Sequence, residues 1–217
     1  MTVFRWSRQM GKIFYLMGKS ASGKDAVYGR LIKDEALGLK PYVCCTTRPM
    51  RSGEQNGREY FFTTRRELEA FEESGKLIEK RVYHTVYGDW FYYSVDSENV
   101  DLENENYLCI GTLDSFVKMR AYYGTERVIP LYIEVEDGER LIRAINRERQ
   151  QKTPGYKELC RRFITDSEDF SEERLEEAGI AKRFQNENLE ECVNEIKKCM
   201  VNNAEKRPVY KESQIPN

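Results

Sequence analysis

The residues best suited to chemistry in this 217-residue chain are cationic and grouped. The stretch Gly18-Lys19-Ser20-Ala21-Ser22-Gly23-Lys24-Asp25 sets two glycines apart by four residues and follows the second with lysine. Glycines let such a loop turn its backbone N–H groups toward one anion. Lys24 adds a full positive charge placed to reach the β- and γ-phosphates of a nucleotide. The pattern wants Ser or Thr after the lysine, as a hydroxyl ligand for Mg2+, and Asp25 stands there instead. A carboxylate is a hard oxygen donor, so Asp25 is the candidate to hold Mg2+ directly or through water. Three groups of arginine follow: Arg48 with Arg51; Arg143, Arg147 and Arg149; Arg161 with Arg162. The planar guanidinium fork suits phosphate, because it binds two oxygens together. In the helical groups Glu139, Glu148 and Glu158 offer an alternative, arginines that are paired or solvated. Arg48 and Arg51 lie in a glycine-containing loop with a glutamate and Tyr60, where folding alone does not ask for them.

These residues need a scaffold, and the flanking pattern supplies one. The apolar run 13–17 reads as a strand and 26–32 as a helix, so the glycine loop lies between strand and helix. That context favours a phosphate loop over a plain glycine turn with a surface lysine. Gly38 reads as the cap that closes this segment. Residues 41–45 read as the second strand and 60–62 as an aromatic one. Thr64 with Glu67 forms a capping box opening a helix to Ser74. Residues 77–82 and 86–93 read as strands, and 107–110 as a return to the core. A helix is expected from Leu113 to Tyr123, then a strand whose Pro130 places its start at Leu131. Helices follow at 139–151, 156–163 and 171–178, then a short strand at 182–186 and a helix at 189–201. The tail 202–217, with two prolines, is expected to be partly disordered.

The resulting fold class is α/β: a P-loop parallel-sheet core, an inserted mixed α+β domain and a helical lid. The expected segments are core at 12–45, insertion at 46–94, core at 95–142, lid at 143–162, core at 163–201 and tail at 202–217. A net charge of −2 gives no global basic field for nucleic acid. No apolar run approaches the roughly 18–20 residues that span a membrane. The first twelve residues lack the apolar core of a secretory signal and read as a short extension, with Met10 an alternative start. Six cysteines without a C-x-x-C pair, three of them in strand-like runs, read as reduced thiols of a cytoplasmic protein. The one histidine, His84, reads as a surface or packing residue rather than a base.

The stretch Thr46-Thr47-Arg48-Pro49-Met50-Arg51-Ser52-Gly53-Glu54-Gln55-Asn56-Gly57-Arg58-Glu59-Tyr60-Phe61-Phe62 closely resembles the nucleotide-binding stretch of guanylate kinases, T-T-R-x-x-R-x-G-E-x-x-G-x-x-Y-x-F, at every fixed position. The resemblance covers about residues 12 to 201. It implies transfer of the γ-phosphoryl of ATP, with Mg2+, to GMP. It implies a GMP-binding set of Cys44, Arg48, Arg51, Glu54, Tyr60, Glu79 and Tyr87. Arg48, Arg51, Tyr60 and Tyr87 would meet the acceptor phosphate, and Glu79 the guanine edge. It implies ATP binding by Gly18 through Asp25 and by Asn186, near the adenine. Lys24, Arg48 and the lid arginines Arg143, Arg147 and Arg162 would carry the transfer. The partners implied are the two nucleotides, with no nucleic acid or membrane, for a monomer or homodimer.

The chain also departs from the pattern. Asp25 replaces the metal-binding hydroxyl, Cys44 a serine that helps read guanine, and Asp89 a Ser or Thr near the base. The family's D-x-D pair aligns with Ile110 and Thr112, which removes two carboxylates; Asp114 would come into play only through a register slip. Two other readings stay open on this ground: a binding module that has lost its chemistry, and a P-loop kinase with another acceptor.

Overall fold

The computed structural model describes residues 11–85 and 87–205. Five strands, β1 (Ile13–Met17), β2 (Leu39–Pro41), β7 (Asn106–Ile110), β8 (Val128–Glu134) and β9 (Arg183–Gln185), form a parallel sheet in the order β2-β7-β1-β8-β9. β1 is central and buried on both faces, which explains its continuous apolar run. Its side chains alternate: Ile13, Tyr15 and Met17 pack with Phe116, Met119 and Phe170, whereas Phe14 and Leu16 pack with Val27, Leu31 and Ile196. Helices α1 (Lys24–Leu31) and α7 (Leu189–Glu205) cover the second face, and α3 (Leu113–Tyr123) and α6 (Glu172–Glu177) the first. The winding reverses at β1, with β7 on one side and β8 on the other, so its carboxyl end opens into the crevice where α/β sheets bind ligands.

A second, mixed sheet has the order β4-β3-β6-β5, from β3 (Cys45–Thr46), β4 (Phe61–Phe62), β5 (Leu77–Thr85) and β6 (Gly88–Val95). Helix α2 (Arg65–Glu73), opened by the Thr64–Glu67 capping box, packs Leu68 and Phe71 against Cys45, Phe91, Tyr93 and Val95. Helices α4 (Asp137–Arg149) and α5 (Tyr156–Asp169) lie against each other.

Several boundaries differ from expectation. The run 41–45 is two strands in two sheets: Pro41 ends β2 beside β7, and Cys45 begins β3 beside β4 and β6. An apolar run says nothing about which sheet takes each end. β8 starts at Val128, ahead of Pro130, because β9 pairs only from Tyr132 onward and Pro130 has a strand on one side alone. α1 ends at Leu31 with Ile32 as its C-cap, and Gly38 instead caps a 3-10 turn at Glu35–Leu37. α5 runs on to Asp169. α7 continues to Glu205, so 202–205 is helix rather than tail. The N-terminal extension with Met10, and the tail beyond 205, lie outside the described residues.

Candidate active site

β1 delivers the chain into the glycine loop. A Cβ on Gly18 would lie 2.6 Å from the Ile133 carbonyl oxygen, so the loop passes too close to β8 for any side chain. Gly23 adopts φ +82°, and a Cβ there would meet Asn186 Nδ2 at 2.4 Å. Ala21 also has positive φ, 62°, a strained backbone for a residue with a side chain. α1 begins with no side-chain cap. Its first N–H groups and the positive end of its dipole therefore remain for an anion.

Three elements hold the loop. Asn186, buried in the turn after β9, donates through Nδ2 to the Ser22 carbonyl at 2.7 Å. Arg143 of α4 donates to the Asn186 carbonyl at 3.0 Å and pairs with Glu139 at 2.8 Å. Arg140, 1% exposed, donates to the Ser20 carbonyl at 2.9 Å and forks onto Asp137. Asp137 also takes Lys19 at 3.3 Å. From α5, the Asp166 carboxylate accepts from the Ser20 N–H at 2.7 Å, with the Arg140 guanidinium 3.7 Å away. A side-chain carboxylate thus sits on one backbone donor of the phosphate loop. Asp137 and Asp166 carry no sequence signal; Arg140 belongs to the basic face of α4, but its burial does not follow from that pattern.

Ser20, Arg147 and Arg162 line one cavity of about 260 Å³ between α4 and α5, with Glu148 and Glu158 on its wall. The loop and two of the expected lid arginines are therefore brought together. The pairing alternative is also realised in part. Glu158 takes both Arg161 and Arg162, which hold its carboxyl down at about 2. Glu148 instead accepts from the Gly155 N–H.

In the second sheet Arg48 is 3% exposed, and Glu54 clamps it through two 2.8 Å bonds. Its Nε donates to the Tyr92 hydroxyl at 3.1 Å, and its guanidinium lies 5.5 Å from the Tyr60 ring centroid. Glu54 also accepts from the Arg51 N–H, and Arg48 with that N–H holds its carboxyl down at about 2. Arg51 itself is exposed. Arg48, Glu54 and Tyr60 are thus brought together, with Arg51 joined to them through its backbone N–H. Tyr87 does not join it: it is 84% exposed and stacks on Trp90 at 6.4 Å.

Glu79 is buried where a bulge shifts the register of β5. It faces Ser94 across the hairpin and accepts from its hydroxyl at 3.1 Å; the same hydroxyl lies 3.5 Å from Cys44 Sγ. Cys44 and Glu79 thus share a pocket through Ser94, a residue the sequence reading did not single out. The Cys109 thiol bonds to Cys44 and holds it below its ordinary value, while burial pushes Cys109 well up. Asp89 pairs with His84 at 2.6 Å across the hairpin. Asp114 is tied to Arg174 of α6, which gives no support to the register slip that would bring it into the place of Thr112.

A parallel sheet with a glycine loop after its central strand, a carboxyl-end crevice and basic helices beside it defines the class of P-loop nucleotide-binding proteins. Residues 10–203 match the model of the guanylate kinase family, and the chain belongs to that family. It is 30% identical over 201 residues to a guanylate kinase of Porphyromonas gingivalis, covering 88% of this chain and 97% of the relative. A guanylate kinase of Mesomycoplasma hyopneumoniae is 25% identical over 91% of this chain and 98% of its own length. The crystal structure of guanylate kinase from Anaplasma phagocytophilum superposes with a TM-score of 0.64 at 20% identity, over 92% of this chain and 89% of that one. At that identity the shared property is the fold. Among the described residues no helix is long and apolar enough to cross a membrane.

Proposed function

We propose that the chain is an ATP:GMP phosphotransferase, moving the γ-phosphoryl of MgATP to the phosphate of GMP to give ADP and GDP. The observation that carries this reading is the cavity in which Ser20 of the phosphate loop meets Arg147 and Arg162. Two anionic nucleotides repel each other, so their reacting phosphates need cations from several directions. The loop N–H groups and Lys24 hold the donor phosphates. Arg143, Arg147 and Arg162, on α4 and α5, form a lid over 143–162 that gathers charge around the transferring group and keeps water out. Arg48, Arg51 and Tyr60 in the insertion 46–94 hold the acceptor phosphate, with Glu54 fixing the fork of Arg48. Tyr87 reaches that phosphate only if the hairpin tip folds inward. Glu79, with Cys44 and Ser94, faces the base. No general base is required, because the acceptor phosphate is already ionised.

Asp25 is exposed in the first turn of α1 and makes no ion pair among the described residues. An unpaired carboxylate beside the phosphate loop fits Mg2+, which binds through one or two carboxylates plus substrate phosphates. Asp25 would hold the ion, and the ion would neutralise charge on the β- and γ-phosphates. Asn186 keeps the loop in shape for ATP, with the adenine nearby. The setting is the cytoplasm, for a monomer or homodimer with small nucleotides as partners. The test is a coupled ADP-release assay with MgATP and, separately, GMP, dGMP, AMP, CMP and UMP. Turnover with GMP is expected; folded protein that binds GMP without turning over any acceptor would refute the reading.

A further inference from the structure

Beside Ser94 and Cys44 lies a charged group that the phosphate chemistry does not use. Glu79 and Arg81 are two apart on β5, so their side chains share one face. The Glu79 side chain is 1% exposed and that of Arg81 22%. Arg81 reaches out of the second sheet to the core and donates to Thr112 Oγ1 at 3.3 Å. Thr112 caps α3 at the end of β7, one of the two places where the D-x-D carboxylates are missing. The ion pair leaves one atom of each partner unsatisfied. Arg81 Nη2 donates to Glu79 Oε1 at 3.5 Å, but Arg81 Nε, 3.3 Å from Glu79 Oε2, makes no hydrogen bond and neither does that oxygen, and both atoms are buried. An acceptor oxygen and a donor N–H are thus held side by side, neither in a hydrogen bond, with Ser94 linking Glu79 to Cys44 beside them. Buried groups of this kind are costly unless something completes them.

We propose that Arg81 is a specificity-determining residue for the acceptor base, reading the carbonyl oxygen of a 6-oxopurine while Glu79 reads the adjacent N1–H. This rests on the kinase reading above and deepens it. The lactam edge of guanine or hypoxanthine places a donor, N1–H, next to an acceptor, O6. That order complements a carboxylate oxygen next to a guanidinium N–H. Adenine in the same pose inverts both groups, setting a lone pair against the carboxylate and an amino group against the guanidinium. Cys44 explains why the arginine is needed. A thiol is a weak donor where the family has a serine hydroxyl, and Arg81 supplies a strong, charged one. The same geometry leaves the 2-amino group poorly served. Thr112 brings no carboxylate, and its hydroxyl is already engaged by Arg81 and by Ser115 at 3.3 Å. The site therefore reads the 6-oxo edge more strictly than the 2-amino group.

The test compares GMP, IMP, 6-thio-GMP and AMP on the full chain and on Arg81→Met, with KM, kcat and equilibrium binding measured for each. In the parent, IMP is expected within about fivefold of GMP in kcat/KM, and 6-thio-GMP, whose sulfur is a weak acceptor, at least about tenfold below it. In Arg81→Met the KM for GMP rises about 30-fold or more, the penalty on 6-thio-GMP disappears, and the KM for ATP stays unchanged; Arg81→Lys recovers part of the loss. A variant that binds GMP as well as the parent or better would overturn the proposal, since Arg81 would then be competing with the base for Glu79. So would a parent that accepts 6-thio-GMP like GMP while rejecting IMP, a result that needs no variant to fold. If no purine monophosphate turns over, the kinase reading fails by itself, and the same binding series still decides the role of Arg81.

Discussion

Arg140→Met probes the network that holds the phosphate loop. The guanidinium makes bonds of 3.0 and 2.7 Å to Asp137 and 2.9 Å to the Ser20 carbonyl, with Asp166 3.7 Å away, and it lies 4.7 Å from the Phe163 ring centroid. Removing one partner of a buried ion pair costs about 3–5 kcal/mol, chiefly because the charge left behind is uncompensated. Two features pull the estimate to the low end. Methionine keeps the stem volume and its contact with Phe163, and the Asp137 side chain, 48% exposed, can rehydrate. Asp166, 16% exposed, cannot rehydrate as fully, so the loss stays near 3 kcal/mol. For a chain of this size each kcal/mol shifts Tm by about 2–4 °C, which predicts a fall of roughly 6–12 °C by calorimetry or circular dichroism. The Ser20 carbonyl also loses its anchor, so KM for ATP should rise several-fold while KM for GMP stays put. Adding Asp166→Asn to the variant should restore part of the Tm, with a coupling of about 0.5–3 kcal/mol, because it removes the stranded charge. A Tm within about 2 °C of the parent, with unchanged KM for ATP, would refute the view that this arginine organises the loop.

Three further outcomes follow from the same contacts. Asp166→Asn keeps an acceptor for the Ser20 N–H but removes a negative charge from the phosphate loop, so ATP should bind at least about threefold more tightly by calorimetric titration; weaker binding would mean that the carboxylate supports the loop instead of opposing the nucleotide. Glu54 has its carboxyl lowered from 4.5 to about 2, mainly by Arg48. A depressed carboxylate contributes stability that is present above its unfolded value and lost as the pH falls through its folded one. The Tm difference between the parent and Glu54→Gln should therefore be constant above pH about 5 and shrink between about 4.5 and 2; a difference that grows in acid would reverse the sign and reject the pairing. Asp25→Ala should raise the Mg2+ concentration giving half-maximal turnover by about tenfold, and full activity at unchanged Mg2+ would remove Asp25 from the metal site.

What the sequence made legible is what is local in the chain. The glycine loop and the capping box of Thr64 and Glu67 each lie within a few residues, so spacing alone specifies them; the clamp of Glu54 on Arg48 is as local but was not read from the sequence. The contacts that shape the loop are not local. Arg140 meets the Ser20 carbonyl across 120 positions, Asp166 the Ser20 N–H across 146, and Asn186 the Ser22 carbonyl across 164. No periodicity in α4 or α5 marks Arg140 as buried or Asp166 as turned toward the loop; only the packing of the two helices against the sheet does. The split of residues 41–45 between two sheets has the same cause, since β7 and β6, which claim its two ends, lie far along the chain. Arg81 falls between these cases. Its spacing from Glu79 fits a shared strand face, but its meaning depends on Thr112, the cap of α3 beyond the end of β7, standing opposite. An aspartate at that place would pair with the guanidinium and draw it away from the base. With threonine there, Arg81 is held by a neutral hydroxyl and by Glu79 itself, and its Nε remains a strong donor without a hydrogen bond. On the proposed reading of Arg81, the missing carboxylate at position 112 and the arginine at position 81 act together: a cation beside Glu79 serves where a second anion would otherwise stand.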